Sequence, residues 1–202
     1  MTSGAYSRMI KAIIFDCFGV VLNDSLQEIR AELSRRDPEA ALEVRDIIAA
    51  NNRGLIDPLE SNKKISKILG LDVETFHAQV RAGETRNVRL LSYILNLRKH
   101  YKTAMLSNVA VSSLERRFPN DELKQYFDEV IASAEIGFIK PDLRAYEIAA
   151  ERLCLKPNEC IFTDDKPTFC DGARAVGMKA IVYTDFVQFA AELEVILADS
   201  KN

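Results

Sequence analysis

The sequence predicts an α/β fold: a doubly wound parallel sheet with an all-helical domain inserted after its first strand. From Lys102 onward, short apolar segments alternate with segments of helical apolar spacing. Such alternation is typical of βαβ units, in which helices cover both faces of a parallel sheet. Between Ser25 and about Arg81 the apolar residues follow helical spacing alone. This stretch is therefore predicted to be a second, smaller domain above the carboxyl edge of the sheet.

The first strand is predicted within residues 11–22, KAIIFDCFGVVL. A short apolar run fits a buried parallel strand, although periodicity alone leaves a buried helix open. The β-branched residues Ile13 and Ile14 favour the strand. Asp16 would then lie at the carboxyl end of the strand, and Gly19 would permit the sharp turn that follows.

Four helices are predicted next. Asp37 and Pro38 separate the first two, Gly70 ends the third, and Asp72 caps the fourth. Residues 51–54, Asn-Asn-Arg-Gly, are predicted to be a loop. The predicted helices are residues 25–36, 38–50, 57–70 and 72–80.

An amphipathic helix over residues 87–100 leads into the alternating part of the chain. The predicted strands there are residues 102–108, 129–132, 160–165 and 179–183. The predicted helices are residues 111–118, 141–153, 167–176 and 185–197. The domain boundaries that follow are residues 9–22 and 87–202 for the α/β domain and residues 23–86 for the helical domain.

Composition limits the possible functions. The 202 residues are 48% hydrophobic, which is enough for a substantial core, and the net charge is −3. Basic residues form no block, so we expect no nucleic-acid partner, and no apolar stretch is long enough to span a bilayer. Four cysteines without CxxC spacing give little support to a zinc site and are typical of reduced residues in a cytoplasmic protein. Residues 1–8 are polar, and Met9 is a candidate native start.

Polar residues follow the predicted strands, where each strand ends. They are Asp16, Ser107, Asn108, Lys140 and the pair Asp164-Asp165. The carboxyl ends of parallel strands meet at one edge, so these groups should converge on one crevice. A carboxylate at a strand end is a candidate nucleophile or metal ligand, although a lone Asp often only caps the next turn.

These residues resemble the four motifs of the haloacid dehalogenase (HAD) superfamily. The motifs here are residues 15–20 (FDCFGV), 106–108 (LSN), 139–141 (IKP) and 162–165 (FTDD). The resemblance covers nearly the whole chain and includes an all-helical cap inserted after the first motif. It implies a Rossmann-like core and is nearest to sugar-phosphate phosphatase-like hydrolases and the amino-terminal domain of soluble epoxide hydrolases. The alternative is four unrelated polar strand ends.

The resemblance implies a nucleophile and a metal. Asp16 would attack phosphorus and form an aspartyl-phosphate. Mg²⁺ would be held by Asp16, the backbone carbonyl of Phe18, and Asp165. Asp165 is preferred because its spacing of twelve residues to Gly177 matches the family pattern. Asp164 would then act as an outer or water-mediated partner.

The resemblance also implies the groups that hold phosphate. Lys140 would contact both Asp16 and the phosphate, which lets the two anions approach each other. The hydroxyl of Ser107 and the amide of Asn108 would bind phosphate oxygens. A local cap at Ser107 and a surface charge at Lys140 are the structural alternatives.

Two positions depart from the family pattern. Family phosphatases usually place a general acid Asp two residues after the nucleophile, where this chain has Phe18. A phenyl ring cannot transfer a proton, and general acid help typically contributes about 10²–10⁴-fold. The second departure is Phe169, four residues after Asp165, where the family often has Asp or Asn. We expect it to weaken support for Lys140 or the metal.

Three functions remain open at this point. An aromatic residue two after the nucleophile is also similar to the haloacid dehalogenases, which attack carbon and need no metal. The pair Asp164-Asp165 argues instead for a metal-dependent phosphatase acting on a small phosphate ester. Whether the protein is a monomer or a homodimer is left open by the sequence. The third possibility is an impaired, phosphate-binding regulatory protein. Arg53, in the predicted loop, is the candidate for reading the rest of the substrate, with a solvated charge as the alternative.

Overall fold

The computed structural model describes residues 9–200, except for the side chain of Val111. The expected native start at Met9 concerns residues 1–8, which lie outside the described residues. Within residues 9–200, no helix is both long enough and apolar enough to cross a bilayer.

Five strands form one parallel sheet. They are β1 (Ala12–Phe15), β2 (Lys102–Ser107), β3 (Glu129–Ala132), β4 (Cys160–Asp164) and β5 (Lys179–Val182). Their order is β3-β2-β1-β4-β5, and all four neighbouring pairs are parallel. After β1, the chain adds β2 and then β3 on one side of the sheet. It then crosses to the other side of β1, where it adds β4 and β5. The predicted doubly wound sheet is thereby confirmed, and its topological switch point lies between β1 and β4.

Eleven α-helices and one 3₁₀ turn lie within the described residues. The helices before β2 are α1 (Ser25–Arg36), α2 (Pro38–Asn52), α3 (Pro58–Leu69), α4 (Val73–Gly83) and α5 (Val88–Leu97). Those after β2 are α6 (Val111–Arg117), α7 (Leu123–Tyr126), α8 (Ser133–Ile136), α9 (Leu143–Arg152), α10 (Pro167–Ala175) and α11 (Phe186–Asp199), with the 3₁₀ turn at Pro157–Glu159.

The two faces of the sheet carry separate cores. Along β1, Ile13 and Phe15 face α5 and α11, whereas Ala12 and Ile14 face α9 and α10. This follows from the period of two in a strand, which sends successive side chains to opposite faces. All four side chains are fully buried, so β1 lies at the centre of the core. Asp16, which follows β1 directly, is therefore held in a fixed position.

Helices α1–α4 enclose a third core of their own. Its buried members are Leu33, Val44, Ile65, Phe76 and Val80. The two connections to the sheet run side by side, because the backbone amide of Asn23 donates to the carbonyl of Thr85 (3.1 Å). An inserted helical unit is therefore present, and the boundaries of 23–86 for this cap stay a prediction.

The structure differs from the predicted elements mainly at their ends. Helix α2 continues to Asn52, so half of the predicted loop at residues 51–54 is helical. Helix α9 begins at Leu143, where the side chain of Asp142 caps the amide of Arg144. Helices α7 and α8 were not predicted, because four residues are too few to show a helical period.

Candidate active site at the carboxyl edge of the sheet

Asp16 follows β1 directly and lies at the switch point of the sheet. Its amide donates to the carbonyl of Thr163 on β4 at 2.9 Å. The chain then turns sharply through Gly19, which has a φ of 89°, and such a conformation suits a residue without a Cβ. The neighbouring thiol of Cys17 is buried, and burial raises its pKa well above the ordinary value. Of the two neighbouring groups, Asp16 is therefore the better candidate nucleophile at this turn.

Lys140 lies between two carboxylates. Its Nζ is 2.7 Å from Oδ1 of Asp16 and 2.7 Å from Oδ2 of Asp164, and the amine is fully buried. Burial favours the neutral amine, but the two carboxylates together outweigh it and raise the pKa of Lys140. Burial also raises the pKa of Asp16 to about 7, against the opposing charge of Lys140. The ammonium is the charge that allows two buried anions to lie this close together.

Asn108 holds the backbone of Lys140. Its Nδ2 donates to the carbonyl of Lys140 at 2.9 Å, and its Oδ1 accepts from the amide of Lys140 at 2.8 Å. This pair of bonds joins positions 32 residues apart and sets the place from which the lysine side chain starts. Sequence reasoning considered only the Asn108 amide as a phosphate ligand and missed this positioning role, for which the sequence carries no local signal.

The acidic pair after β4 divides into two environments. The Asp164 carboxylate is fully buried, and both of its oxygens accept hydrogen bonds, Oδ2 from Lys140 and Oδ1 from the amide of Lys166 (2.9 Å). Oδ1 of Asp165 is buried without a hydrogen-bond partner, and burial raises the pKa of Asp165 to about 6. One oxygen from each of Asp16, Asp164 and Asp165 lies within 4.8 Å of the others. This set of hard oxygen donors suits Mg²⁺.

Ser107 supplies a polar group that has no partner within the chain. It is 1% exposed, and its Oγ makes no hydrogen bond with the described residues. Ser107 lines the same cavity as Asp16 and Lys140. A buried hydroxyl left unpaired costs free energy, so this position fits an oxygen of a bound anion.

Phe18 and Phe169, the two aromatic residues at positions that depart from the expected pattern, each contact a cation. The Nζ of Lys140 lies 5.3 Å from the ring centroid of Phe169 and 5.2 Å from that of Phe162. Phe169 thus contacts the lysine through its π face, in place of the carboxylate or amide common in the family. The ring of Phe18 lies under the guanidinium of Arg117, at 5.0 Å. Neither ring can donate a proton.

A cavity of about 620 Å³ extends from Asp16 to the helices of the cap. Asn51 and Asn52 line it, but Arg53 does not and is exposed. The choice of Arg53 as a substrate-reading residue therefore stays a prediction, from a position next to the cavity lining and not within it. Five other arginines line the cavity, none of which the sequence analysis singled out: Arg30, Arg45, Arg81, Arg116 and Arg117.

The chain is similar to a known protein family and to several known proteins. A family model for haloacid dehalogenase-like hydrolases matches residues 10–177. The bifunctional epoxide hydrolase 2 of Rattus norvegicus is 30% identical over 146 residues, which are 67% of this chain and 26% of that protein. This chain thus spans about a quarter of the length of that relative.

Two similarities cover almost the entire chain. The D-ribitol-5-phosphate phosphatase of Bacteroides thetaiotaomicron is 26% identical over 204 residues, 94% of this chain and 99% of that protein. A solved HAD-family enzyme from the same organism, in complex with magnesium and inorganic phosphate, superimposes with a TM-score of 0.71. It is 21% identical and covers 89% of this chain and 98% of its own, so it shows the shared fold.

Proposed function

Since the chain belongs to the haloacid dehalogenase-like hydrolases, we propose that it is a magnesium-dependent phosphatase acting on small phosphate esters through an aspartyl-phosphate intermediate. The proposal is carried by one observation: Lys140 lies within 2.7 Å of both Asp16 and Asp164, beside the unpartnered carboxylate oxygen of Asp165. Further support comes from the D-ribitol-5-phosphate phosphatase, a relative whose sequence aligns with 94% of this chain.

Asp16 is proposed to carry both chemical steps. In the first, its carboxylate oxygen bonds to phosphorus while the ester P–O bond breaks, and the leaving alkoxide takes a proton from solvent water. In the second, water attacks the phosphorus of the acyl phosphate, which releases phosphate and regenerates the carboxylate. Lys140 offsets the charge of nucleophile and phosphate, and the hydroxyl of Ser107 donates to a phosphate oxygen. We also assign the backbone amide of Asn108 to a phosphate oxygen.

The proposed metal ligands are Asp16, the backbone carbonyl of Phe18, and Asp165. The unpartnered Oδ1 of Asp165 supports this choice, because a buried carboxylate oxygen without a donor is stabilised by a cation. Asp164 is assigned an outer position, since both of its oxygens already accept hydrogen bonds. When bound, Mg²⁺ supplies positive charge against the phosphate oxygens.

The direct test is phosphate release from a panel of phosphate esters, with magnesium and with a chelator. Release that requires magnesium supports the proposal. Halide release from a 2-haloacid that persists in the chelator would assign the site to dehalogenation. Stabilisation by phosphate plus magnesium without any turnover would mean a binding protein.

Gly19→Ala is expected to raise the magnesium requirement about tenfold or more. A Cβ at Gly19 would lie 2.5 Å from Cγ of Asp165, so the carboxylate would have to move. Gly177→Ala is the matched control, because Gly177 has a similar φ of 94° and, apart from its chain neighbours, no residue has an atom within 4 Å of the added Cβ. Both variants carry backbone strain of about 1 kcal/mol, but only the first should shift the magnesium titration. Equal shifts of the magnesium titration in the two variants would show that Asp165 is not a metal ligand.

Asp165→Asn should raise the magnesium concentration for half-maximal activity more than Asp164→Asn does. The amide at position 165 removes a charge from the proposed ligand, whereas the amide at position 164 acts mainly on Lys140. Magnesium titrations of both variants, with melting temperatures as the check on folding, measure the difference. The reverse order would make Asp164 the direct ligand.

The rate should depend steeply on the leaving group, because Phe18 cannot protonate it. An activated aryl phosphate should react about 10²-fold or more faster than an alkyl phosphate. Single-turnover measurements on both esters separate bond cleavage from product release. Equal single-turnover rates would show that another group delivers the proton.

A further inference from the structure

The cavity above Asp16 is strongly basic, although the chain as a whole has a net charge of −3. Seven basic side chains line it against three acidic ones. The basic residues are Lys140, Lys166 and the five arginines named above, and the acidic ones are Asp16, Asp24 and Glu84. A cleft of one sign raises the local concentration of ligands of the opposite sign.

Four of the seven cations are already paired. Lys140 contacts Asp16, and Lys166 lies 3.8 Å from Asp24. Arg117 pairs with Glu84 at 2.5 Å. Arg45 contacts its neighbour along α2, Asp46, at 2.9 Å.

Three arginines of the cavity have no carboxylate partner among residues 9–200: Arg30, Arg81 and Arg116. Two of them lie near one histidine. His77 and Arg81 are four residues apart on α4 and share a helical face, and Arg116 approaches from α6 of the sheet domain. Burial lowers the pKa of His77, and the charges of Arg116, Arg81 and Arg117 lower it further. The charged imidazolium is therefore disfavoured, and the positive charge at this end of the cavity is that of the two arginines without a carboxylate partner.

We propose that Arg81, Arg116 and His77 form a second anion subsite, and that the substrate is a phosphate ester carrying another anionic group at its far end. The inference rests on the proposed function, which places the reacting phosphate at Asp16. Phe76 and Val80 of α4 also line the cavity. The part of the substrate between its two anionic groups is therefore expected to be partly apolar. The cavity volume suits a ligand of small-molecule size.

Mutual repulsion is the physical reason for this assignment. The charges of Arg81 and Arg116 both act on one imidazole, and like charges repel one another, although solvent screens the repulsion of exposed side chains. An anion bound between the two arginines offsets that repulsion and gains charge-assisted hydrogen bonds from planar guanidinium groups. Because Arg81 belongs to the cap and Arg116 to the sheet domain, the same anion would also join the two domains.

The test uses matched pairs of phosphate esters that differ only at the far end. Phosphate esters of ω-hydroxy acids are compared with the corresponding primary amides at several chain lengths. For the wild-type protein we expect kcat/KM for the acid to be at least about tenfold higher than for the amide at the best chain length. A hydrogen bond to a charged group contributes a factor of this size. The preference should shrink at high ionic strength.

The preference should disappear in Arg81→Gln/Arg116→Gln and fall in each single variant, whereas activity on a minimal aryl phosphate should stay within about twofold. Both side chains are exposed, so the fold should tolerate the changes. Arg53→Gln is the matched control, a cap arginine outside the cavity, and should keep the preference. An undiminished preference in the double variant, or its loss in Arg53→Gln alone, would overturn the subsite.

A binding measurement separates this proposal from the proposed function. Calorimetry with ω-phosphonoalkanoic acids and their amides, which cannot be hydrolysed, should show tighter binding of the acid by wild type but not by the double variant. If esters are hydrolysed without any preference for the acid, the subsite is wrong and the phosphatase stands. If no ester is hydrolysed, the phosphatase is wrong, and the calorimetric difference alone upholds or overturns the subsite.

Discussion

Asp16→Asn is expected to lower the rate of phosphate-ester hydrolysis on the order of 10⁴-fold or more, which is the size of the effect when an enzyme loses its nucleophile. An amide has nearly the size of the carboxylate but cannot displace an alkoxide from phosphorus. The fold should persist, because Lys140 keeps its ion pair with Asp164 at 2.7 Å and the new amide oxygen can still accept from the ammonium. Phosphate release and thermal unfolding measure the two effects separately.

Asp199→Asn is the control for this change. Asp199 is exposed at the end of α11, far along the chain from the site, and its amide variant should keep wild-type activity. Rapid quenching of the wild-type reaction should in addition trap a phosphoryl group on the protein, which Asp16→Asn should lack. Turnover near wild type in Asp16→Asn would remove Asp16 as the nucleophile.

Lys140→Met should damage both activity and stability. The change leaves Asp16 and Asp164 buried without the cation between them, and breaking such a buried pair costs roughly 3–5 kcal/mol. Loss of the charge that offsets the phosphate should lower kcat by about 10²–10³-fold. Denaturant unfolding in a chelator measures the first effect without compensation from a bound metal.

The double variant Lys140→Met/Asp164→Asn distinguishes these two roles. Removing one of the stranded carboxylates should restore part of the lost free energy of unfolding, because less uncompensated charge remains buried. It should not restore activity, since no ammonium then offsets the combined negative charge of Asp16 and the phosphate. A double variant no more stable than Lys140→Met would show that Asp164 does not share the charge of the lysine.

The sequence predicted the fold class correctly because the signals for it are local. A helical period over ten or more residues and short apolar strands can be read directly along the chain, and α1 occupies the predicted residues 25–36. Where the local signal fails, the prediction fails with it. The four residues of α7 and of α8 cannot show a period, and nothing local indicates that α2 continues to Asn52.

The sequence by itself also predicted that Asp16, Ser107, Lys140 and Asp165 come together. For Asp16, Ser107 and Asp165 the reason is that polar residues at the ends of parallel strands converge on one edge, whereas Lys140 follows α8 and not a strand. Only the tertiary structure decided their partners: the ammonium of Lys140 between two carboxylates, the clamp of Asn108 on its backbone, and the ring of Phe169 against it. It also placed Arg81 and Arg116 on the cavity wall, which no sequence pattern indicates. The physical reason is that an apolar period along the chain places a residue on one face of an element, whereas a charge acts over a few ångströms on residues that are far apart in the chain.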